Sequence, residues 1–463
     1  MSTRYGHEGF SSPAVGHVCG GPGTLQAVDG GLDGVVRWWT VYNPDGSQGC
    51  SGSFNTGPGG VQSSPVLYDF NGDGYDDVLV ANTANSYRTK NTRGRVVVFS
   101  PHQNNKVLFS VHTGDAKHHI PGDFATPVVY DLNGQPDIIE TSYDEHLHVW
   151  DERTGKNLRG SPFALPDTSW SSPTVAVVDG APQIFFGDDC AGVRGQHCYP
   201  HHGGYVYDMR YYQGHLSLKW RHFLSGETVW SSPALAHLSK NGPLDVVVGT
   251  GTMPCTRKDG MCGGRHVYAM NASNGRMLRG WPVNTAGLVM ASPAVGNLEI
   301  GRPGLQIAVL DNEGNLYVFG SRGGHPIFKK CLPAMLGMSC ARGDSYHGSP
   351  TMADIGGNRD IVVPVGQHIV IMSGHGRHWL YNLAYYLHSG SGCTGHSYGP
   401  FTGAPTVASL GGTATVIDGA VCKGSKSAWR AGLFVWNLHK SFVSTTSMWP
   451  TFKRGFGRNA LEG

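Results

Sequence analysis

Residues 63–80 read Ser63-Ser64-Pro65-Val66-Leu67-Tyr68-Asp69-Phe70-Asn71-Gly72-Asp73-Gly74-Tyr75-Asp76-Asp77-Val78-Leu79-Val80. Two short apolar runs flank an acidic, glycine-punctuated centre, which is the pattern of strand, loop, strand. Within the loop Asp69, Asn71 and Asp73 alternate, so their oxygens converge as the chain bends, and Gly74 permits the sharp turn. Tyr75 offers a backbone carbonyl and Asp77 closes the set. Alternating oxygen donors of this kind are hard-cation chemistry, and Ca2+ takes roughly six to eight of them. An apolar Val80 stands where an EF-hand would place its closing glutamate, so this is not an EF-hand. The plain alternative is a hydrated turn, since Asn-Gly and Asp-Gly also open hairpins.

The opening of the stretch recurs. A small residue, proline and an apolar run appear at Pro13, Pro65, Pro127, Pro173, Pro233, Pro293, Pro350 and Pro405, eight copies separated by 52, 62, 46, 60, 60, 57 and 55 residues. A second apolar run follows each, as in Asp245-Val246-Val247-Val248-Gly249, and then a third, as in Leu147-His148-Val149-Trp150 or Tyr205-Val206-Tyr207. A looser fourth segment often carries Ser161-Pro162, Trp281-Pro282 or Trp449-Pro450. Four short antiparallel strands per unit, repeated radially, make a propeller.

The combination of small-Ser-Pro, Asp-x-Asn-Gly-Asp-Gly and a closing Tyr-Val-aromatic strand resembles the FG-GAP/VCBS repeat family. That family includes integrin alpha-subunit heads, secreted surface proteins and the propellers of polysaccharide lyases. The resemblance spans essentially the whole chain. It implies an all-β, eight-bladed β-propeller of four-stranded antiparallel blades. Residues 1–463 then form one domain, with blades starting near 11, 63, 125, 171, 231, 291, 348 and 403. It also implies Ca2+ at Asp69, Asn71, Asp73, Tyr75 and Asp77. The third unit keeps Asp131, Asn133 and Asp137 but has Gln135 at the middle position, and the remaining loops lack the acids. Function does not follow from this fold.

Composition narrows the setting. With 35 basic and 33 acidic residues and a pI near 8.0, nothing argues for nucleic acid or an anionic membrane surface. No apolar run is long enough to insert into a bilayer. Met1–His7 is polar and unlike a signal peptide, so the cysteines must indicate the compartment. Ten cysteines pair by proximity and by shared propeller face as Cys19–Cys50, Cys190–Cys198, Cys255–Cys262, Cys331–Cys340 and Cys393–Cys422. Five disulfides imply an extracellular or secretory-pathway protein. Zinc is the alternative, but these spacings are not its usual ones. The sequon Asn271-Ala272-Ser273 points the same way.

On the propeller map the long loops 81–95, 187–204, 249–266, 331–347 and 418–432 open on one face, and binding is expected there. The calcium loop belongs to the opposite face. Trp170, Trp230, Met290 and His347, just ahead of the repeated prolines, face the axis, with His118 and His119 further back. Neighbouring loops add Asp188, Asp189, His197, Tyr199, His201, His202, Arg257 and His266. Aromatic planes with polar groups between them suit a glycan, and a protein ligand is the companion expectation. The opposing view is that Trp170 and Trp230 merely plug the axis. His201, His202 and His266 could take a transition metal. Arg342-Gly343-Asp344 resembles the adhesive tripeptide that integrins read. The enzymatic alternative is a polysaccharide lyase, in which Tyr199, His201, His202, His266 and Arg257 are the right types to abstract a proton beside a uronate and neutralise its carboxylate. Trp150–Lys156 resembles a quinoprotein blade, but that family's adjacent cysteines are missing. Ring closure is expected from the first dozen residues or from the tail after Phe452.

Overall fold

The computed structural model describes residues 11–46, 49–83, 93–114, 122–189, 203–239, 241–251, 264–298, 304–337, 339–340, 346–366, 368–376, 379–384, 401–423, 429–442 and 461–462. Eight antiparallel sheets follow one another in chain order as the blades of a propeller. Blade 2 shows the pattern: Val66–Tyr68, Asp77–Asn82, Arg95–Ser100 and Lys106–His112 pair in sequence from the axis outward. First strands are short and small-sided, such as Ala14–Gly16, Ala234–Ala236 and Ala294–Gly296, because little room is left near the axis. Second strands such as Asp245–Gly249 are buried along their whole length, being covered by blades on both sides. Outermost strands recover the two-residue alternation of a half-solvated edge, as Ser51–Asn55 does.

The hydrophobic core is therefore not a central ball. It is a set of layers between blades: Ala176, Phe185 and Val206 of blade 4 pack on Leu235, Val246 and Val248 of blade 5. Glycine lets the layers approach. A Cβ on Gly187 would lie 2.3 Å from the Val229 side chain of the next blade, and one on Gly249 would lie 2.4 Å from Val289.

The repeated small residue ahead of each proline forms a ring. The backbone N–H of Ser12 donates to Ser64 Oγ (3.0 Å), Ser64 to Thr126 Oγ1 (2.9 Å), and Thr126 to Ser172 Oγ (2.8 Å). Ser172 then donates to Ser232 Oγ (3.0 Å), Ser232 to Ser292 Oγ (2.9 Å), and Ser292 to Ser349 Oγ (2.9 Å). Finally Ala404 N–H returns to Ser12 Oγ at 2.7 Å. Each proline biases this residue to an extended backbone, which the inward turn requires.

Among the described residues blade 8 shows three strands, Thr406–Leu410, Thr413–Lys423 and Trp429–Ser441; the segment around Trp449-Pro450 lies outside them. Of the two closures expected for the ring, the described end of the tail does not cover the seam. Leu461–Glu462 pairs in parallel with Ala234–Ala236, the inner strand of blade 5. The seam is held by the N-terminal segment instead: Ala404 and Thr406 bond to Ser12 and Pro13, and Val15 and Ala27 pack with Ala408, Leu410 and Ile417. Disulfides join Cys19 to Cys50 and Cys331 to Cys340. The pairs Cys190–Cys198 and Cys255–Cys262 fall outside the described residues, as does Cys393 of the expected pair Cys393–Cys422. Among the described residues no helix is long and apolar enough to cross a membrane.

Candidate functional site: the axial mouth

Above the hydroxyl ring, the residue three places before each proline from Pro65 onward joins a second ring: Gln62, Phe124, Trp170, Trp230, Met290, His347 and Thr402 line one axial cavity with the hydroxyls beneath them. The hydroxyl ring repeats, whereas this upper ring differs blade by blade. Its bulk is on one side. Trp170 stacks on Trp230 with ring centres 4.1 Å apart and planes within 6°, and Phe124 stacks on Trp170 at 4.6 Å. Tyr143 leans on both Phe124 and Trp170. All three stacked rings are half-buried, and Met290 and His347 are buried. The cavity holds about 80 Å³, which is room for a few waters and too little for a sugar ring.

Around this mouth a second motif recurs, an acid beside an aromatic of the third strand. In blade 4 the Tyr207 hydroxyl donates to Asp188 at 2.6 Å and Tyr205 N–H to the same carboxylate at 2.6 Å. Asp188 is fully buried and thus a positioning group for the strand. Burial, with the Asp188 charge beside it, drives the Tyr207 phenol far above its usual range. Asp189 takes a different place: it accepts from Trp230 Nε1 at 3.1 Å and from Thr168 Oγ1 at 2.5 Å, so it fixes the tilt of the outermost tryptophan. In blade 5 Glu227 is bound by Thr250 Oγ1 and by His266 Nδ1, and burial together with Glu227 raises the Tyr268 phenol. The His266 ring is half-buried, with Glu227 fixing its orientation. In blade 6 the Tyr317 hydroxyl meets Asp311 at 3.3 Å.

The expected site is thus assembled in part. Trp170, Trp230, Met290 and His347 share the axial cavity, Asp189 braces it, and Asp188 and His266 belong to the acid–aromatic contacts of blades 4 and 5. His118, His119, His197, Tyr199, His201, His202 and Arg257 lie outside the described residues, as does Arg342-Gly343-Asp344. Phe124 was missed because its pattern, Phe-Ala-Thr-Pro, lacks the tryptophan that marks blades 4 and 5. Also missed were Asp144, His146 and His148, which converge in blade 3. The alternation Asp-x-His-x-His was their only signal in the sequence.

The loop 69–77 lies between the first two strands of blade 2, at the other end of these strands from the mouth. Asp69 accepts N–H groups of Gly72 (2.7 Å), Asp73 (3.1 Å) and Gly74 (2.9 Å), which wraps the loop round its carboxylate. Asp73 accepts from Tyr75 N–H and from Gln103 Nε2. Asp77 accepts Phe70 N–H at 3.0 Å and faces the Asn71 amide. Burial, helped by the charges of Asp73 and Asp69, pushes the Asp77 carboxyl up to about 6. Crowded oxygen donors with mutual repulsion are what a divalent cation relieves, so the residues present fit Ca2+.

The FG-GAP repeat family matches residues 61–99, and this repeat together with the eight-bladed fold fits an FG-GAP β-propeller. Among solved structures, the rhamnogalacturonan lyase YesW matches with a TM-score of 0.51 at 12% identity, over 98% of this chain and 96% of that one. A rhamnogalacturonan lyase from Bacillus licheniformis matches with a TM-score of 0.47 at 13% identity, over 99% and 96%. At such identity the likeness is one of fold. No curated protein matches this sequence.

Proposed function

We propose that this propeller binds a glycan on the face where its axial mouth opens, with Ca2+ stiffening blade 2 from the other end. The observation that carries the reading is the stack of Phe124, Trp170 and Trp230, half-buried at the rim and braced by Asp189. Sugar rings present apolar faces and hydroxyl edges, which suit an aromatic platform with a carboxylate beside it. The cavity below is too small to admit the ring, so the ligand rests on the rim and the surrounding loops. Disulfides form in oxidising compartments, which supports an extracellular or secretory-pathway setting. The calcium ligands would be Asp69, Asn71, Asp73, the Tyr75 carbonyl and Asp77; the ion supplies charge neutralisation, and the loop supplies its shape.

Trp230→Ala tests the reading. Binding on a glycan array is expected to fall while the melting temperature changes little. Undiminished binding would refute the platform, and unfolding would show that the tryptophans serve as an axial plug.

A lyase acting on a uronate polymer is the second reading, favoured by the His266–Glu227 pair. A carboxylate that orients a half-exposed imidazole is the arrangement of a general base and its partner. The fold likeness to a rhamnogalacturonan lyase lends it background. Growth of ultraviolet-absorbing unsaturated product on uronate-rich polymers, abolished by His266→Ala with binding retained, would promote this reading over simple binding.

A further inference from the structure

Blade 3 departs from its neighbours at one place. Its third strand, His146–Asp151, begins His146-Leu147-His148 where blades 4, 5 and 6 have Tyr205-Val206-Tyr207, His266-Val267-Tyr268 and Asn315-Leu316-Tyr317. Elsewhere the acid meets a phenol, as Asp188 meets Tyr207 and Asp311 meets Tyr317. Here the acid, Asp144, meets two imidazoles. The two-residue period of a strand puts His146 and His148 on one side of the sheet. His148 Nε2 lies 2.9 and 3.1 Å from the two Asp144 oxygens. His146 Nδ1 lies 3.6 Å from Asp144 Oδ1 and 2.7 Å from the Asp144 carbonyl. One ligand atom from each of the three residues falls within 4.8 Å of the others.

We propose that Asp144, His146 and His148 bind a first-row divalent cation, zinc foremost. Two imidazole nitrogens and one carboxylate oxygen are a borderline-soft set of the kind zinc takes, and three protein ligands leave a fourth position for water or a ligand group. The His146 position gives a donor to the acid in blades 5 and 6 as well, as His266 on Glu227 and Asn315 on Asp311, so what sets blade 3 apart is an imidazole, a metal-ligating group, where those blades have a phenol. Asp144 is fixed from behind, by Gly114 N–H on Oδ2 at 2.6 Å. His148 is buried against the face of Trp150, so its ring cannot swing away. Entry is from the His146 side, whose ring is 36% exposed against 9% for His148 and 3% for Asp144.

An ion held through His148 Nε2 would need the neutral imidazole with its one proton on Nδ1, which is buried and has no hydrogen-bond partner among the described residues. This site is independent of both the calcium loop and the glycan platform.

The test uses the full chain, stripped with chelator and titrated with Co2+ and then Zn2+. The parent is expected to show the visible absorption of tetrahedral Co2+, bleached by Zn2+. His146→Ala, at the exposed ligand, should melt like the parent in chelator and bind roughly tenfold or more weakly. His148→Gln keeps a donor for Asp144 and should likewise lose the spectrum. Asp73→Ala should keep it. A parent without the spectrum, a His146→Ala variant that retains it in full, or an Asp73→Ala variant that loses it would each overturn the proposal.

Discussion

At the scale of single residues, Asp77 caps its loop, and under the proposed function it would also hold the ion. A residue at the start of the second strand caps the preceding loop in several blades. Gln26 accepts Val18 and Cys19 N–H, Asp137 accepts Leu132 N–H, Gln306 accepts Leu298 N–H, and Asp77 accepts Phe70 N–H. Glutamine serves as well as aspartate for that contact, so the proposed ion is what would use the charge at Asp77 beside Asp69 and Asp73. Two outcomes follow. Asp73→Ala should abolish the difference in melting between calcium and chelator, which in the parent is about 2–3 kcal/mol when calcium is near a hundredfold over its dissociation constant. The second concerns protons. The folded Asp77 value is raised from 3.8 to about 6, so without calcium this group costs stability as pH rises through that window. Calcium favours the ionised form, so its affinity should rise as pH climbs through about 6, with proton release on binding. Calorimetry in buffers of different ionisation heat, run near that pH and well above it, reads the released protons. Equal proton release at both would remove Asp77 from the site.

At the scale of elements, the inner ring explains why the small residue before each proline is nearly always a hydroxyl. Its oxygen receives the backbone N–H of the preceding blade, a donor too deep to be solvated. Ser232→Ala removes the acceptor for Ser172 N–H and should cost about 1–3 kcal/mol. Ala404 is the natural exception, and Ala404→Ser offers Ser349 the acceptor that the other blades have. That change should stabilise by about 0.5–1.5 kcal/mol. Denaturant melts of the two variants, taken together, check the ring: if both shift in the same direction, the hydroxyls are not its fasteners.

At the scale of the whole molecule, the described residues close the circle through direct contact of blade 8 with blade 1. Hydrogen bonds from Ala404 and Thr406 to Ser12 and Pro13, and the apolar layer between blades 8 and 1, repeat at the seam the contacts made at other blade junctions. The two disulfides among the described residues act locally within this circle. Cys19–Cys50 closes 31 residues inside blade 1 and Cys331–Cys340 closes 9 after the outer strand of blade 6. Loop-closure entropy puts their contributions at about 3–4 and about 2–3 kcal/mol. Reduction should therefore lower the melting temperature while leaving the strand content at room temperature unchanged, as far-ultraviolet circular dichroism would show. Loss of that strand content on reduction would mean that the blades do not hold one another.

The sequence by itself determined the number of blades, the strand order within them and the acidic loop, because each is written in local periodicity: a proline every fifty to sixty residues, apolar alternation, and oxygens two apart. It determined Trp170 and Trp230 as axial residues for the same reason, through their fixed distance from the prolines. Tertiary structure alone decided what those residues touch. Phe124 joins the tryptophans only because blades 3, 4 and 5 converge on the axis, and Asp189 reaches Trp230 across forty-one residues of chain. Tertiary structure also set apart Asp188, bound to Tyr207, from its neighbour Asp189, and put His148 and its partner Asp144 in the interior. Periodicity records which way a side chain points from its own strand. Which groups meet there depends on how the next blade is rotated, and no stretch of one blade encodes that.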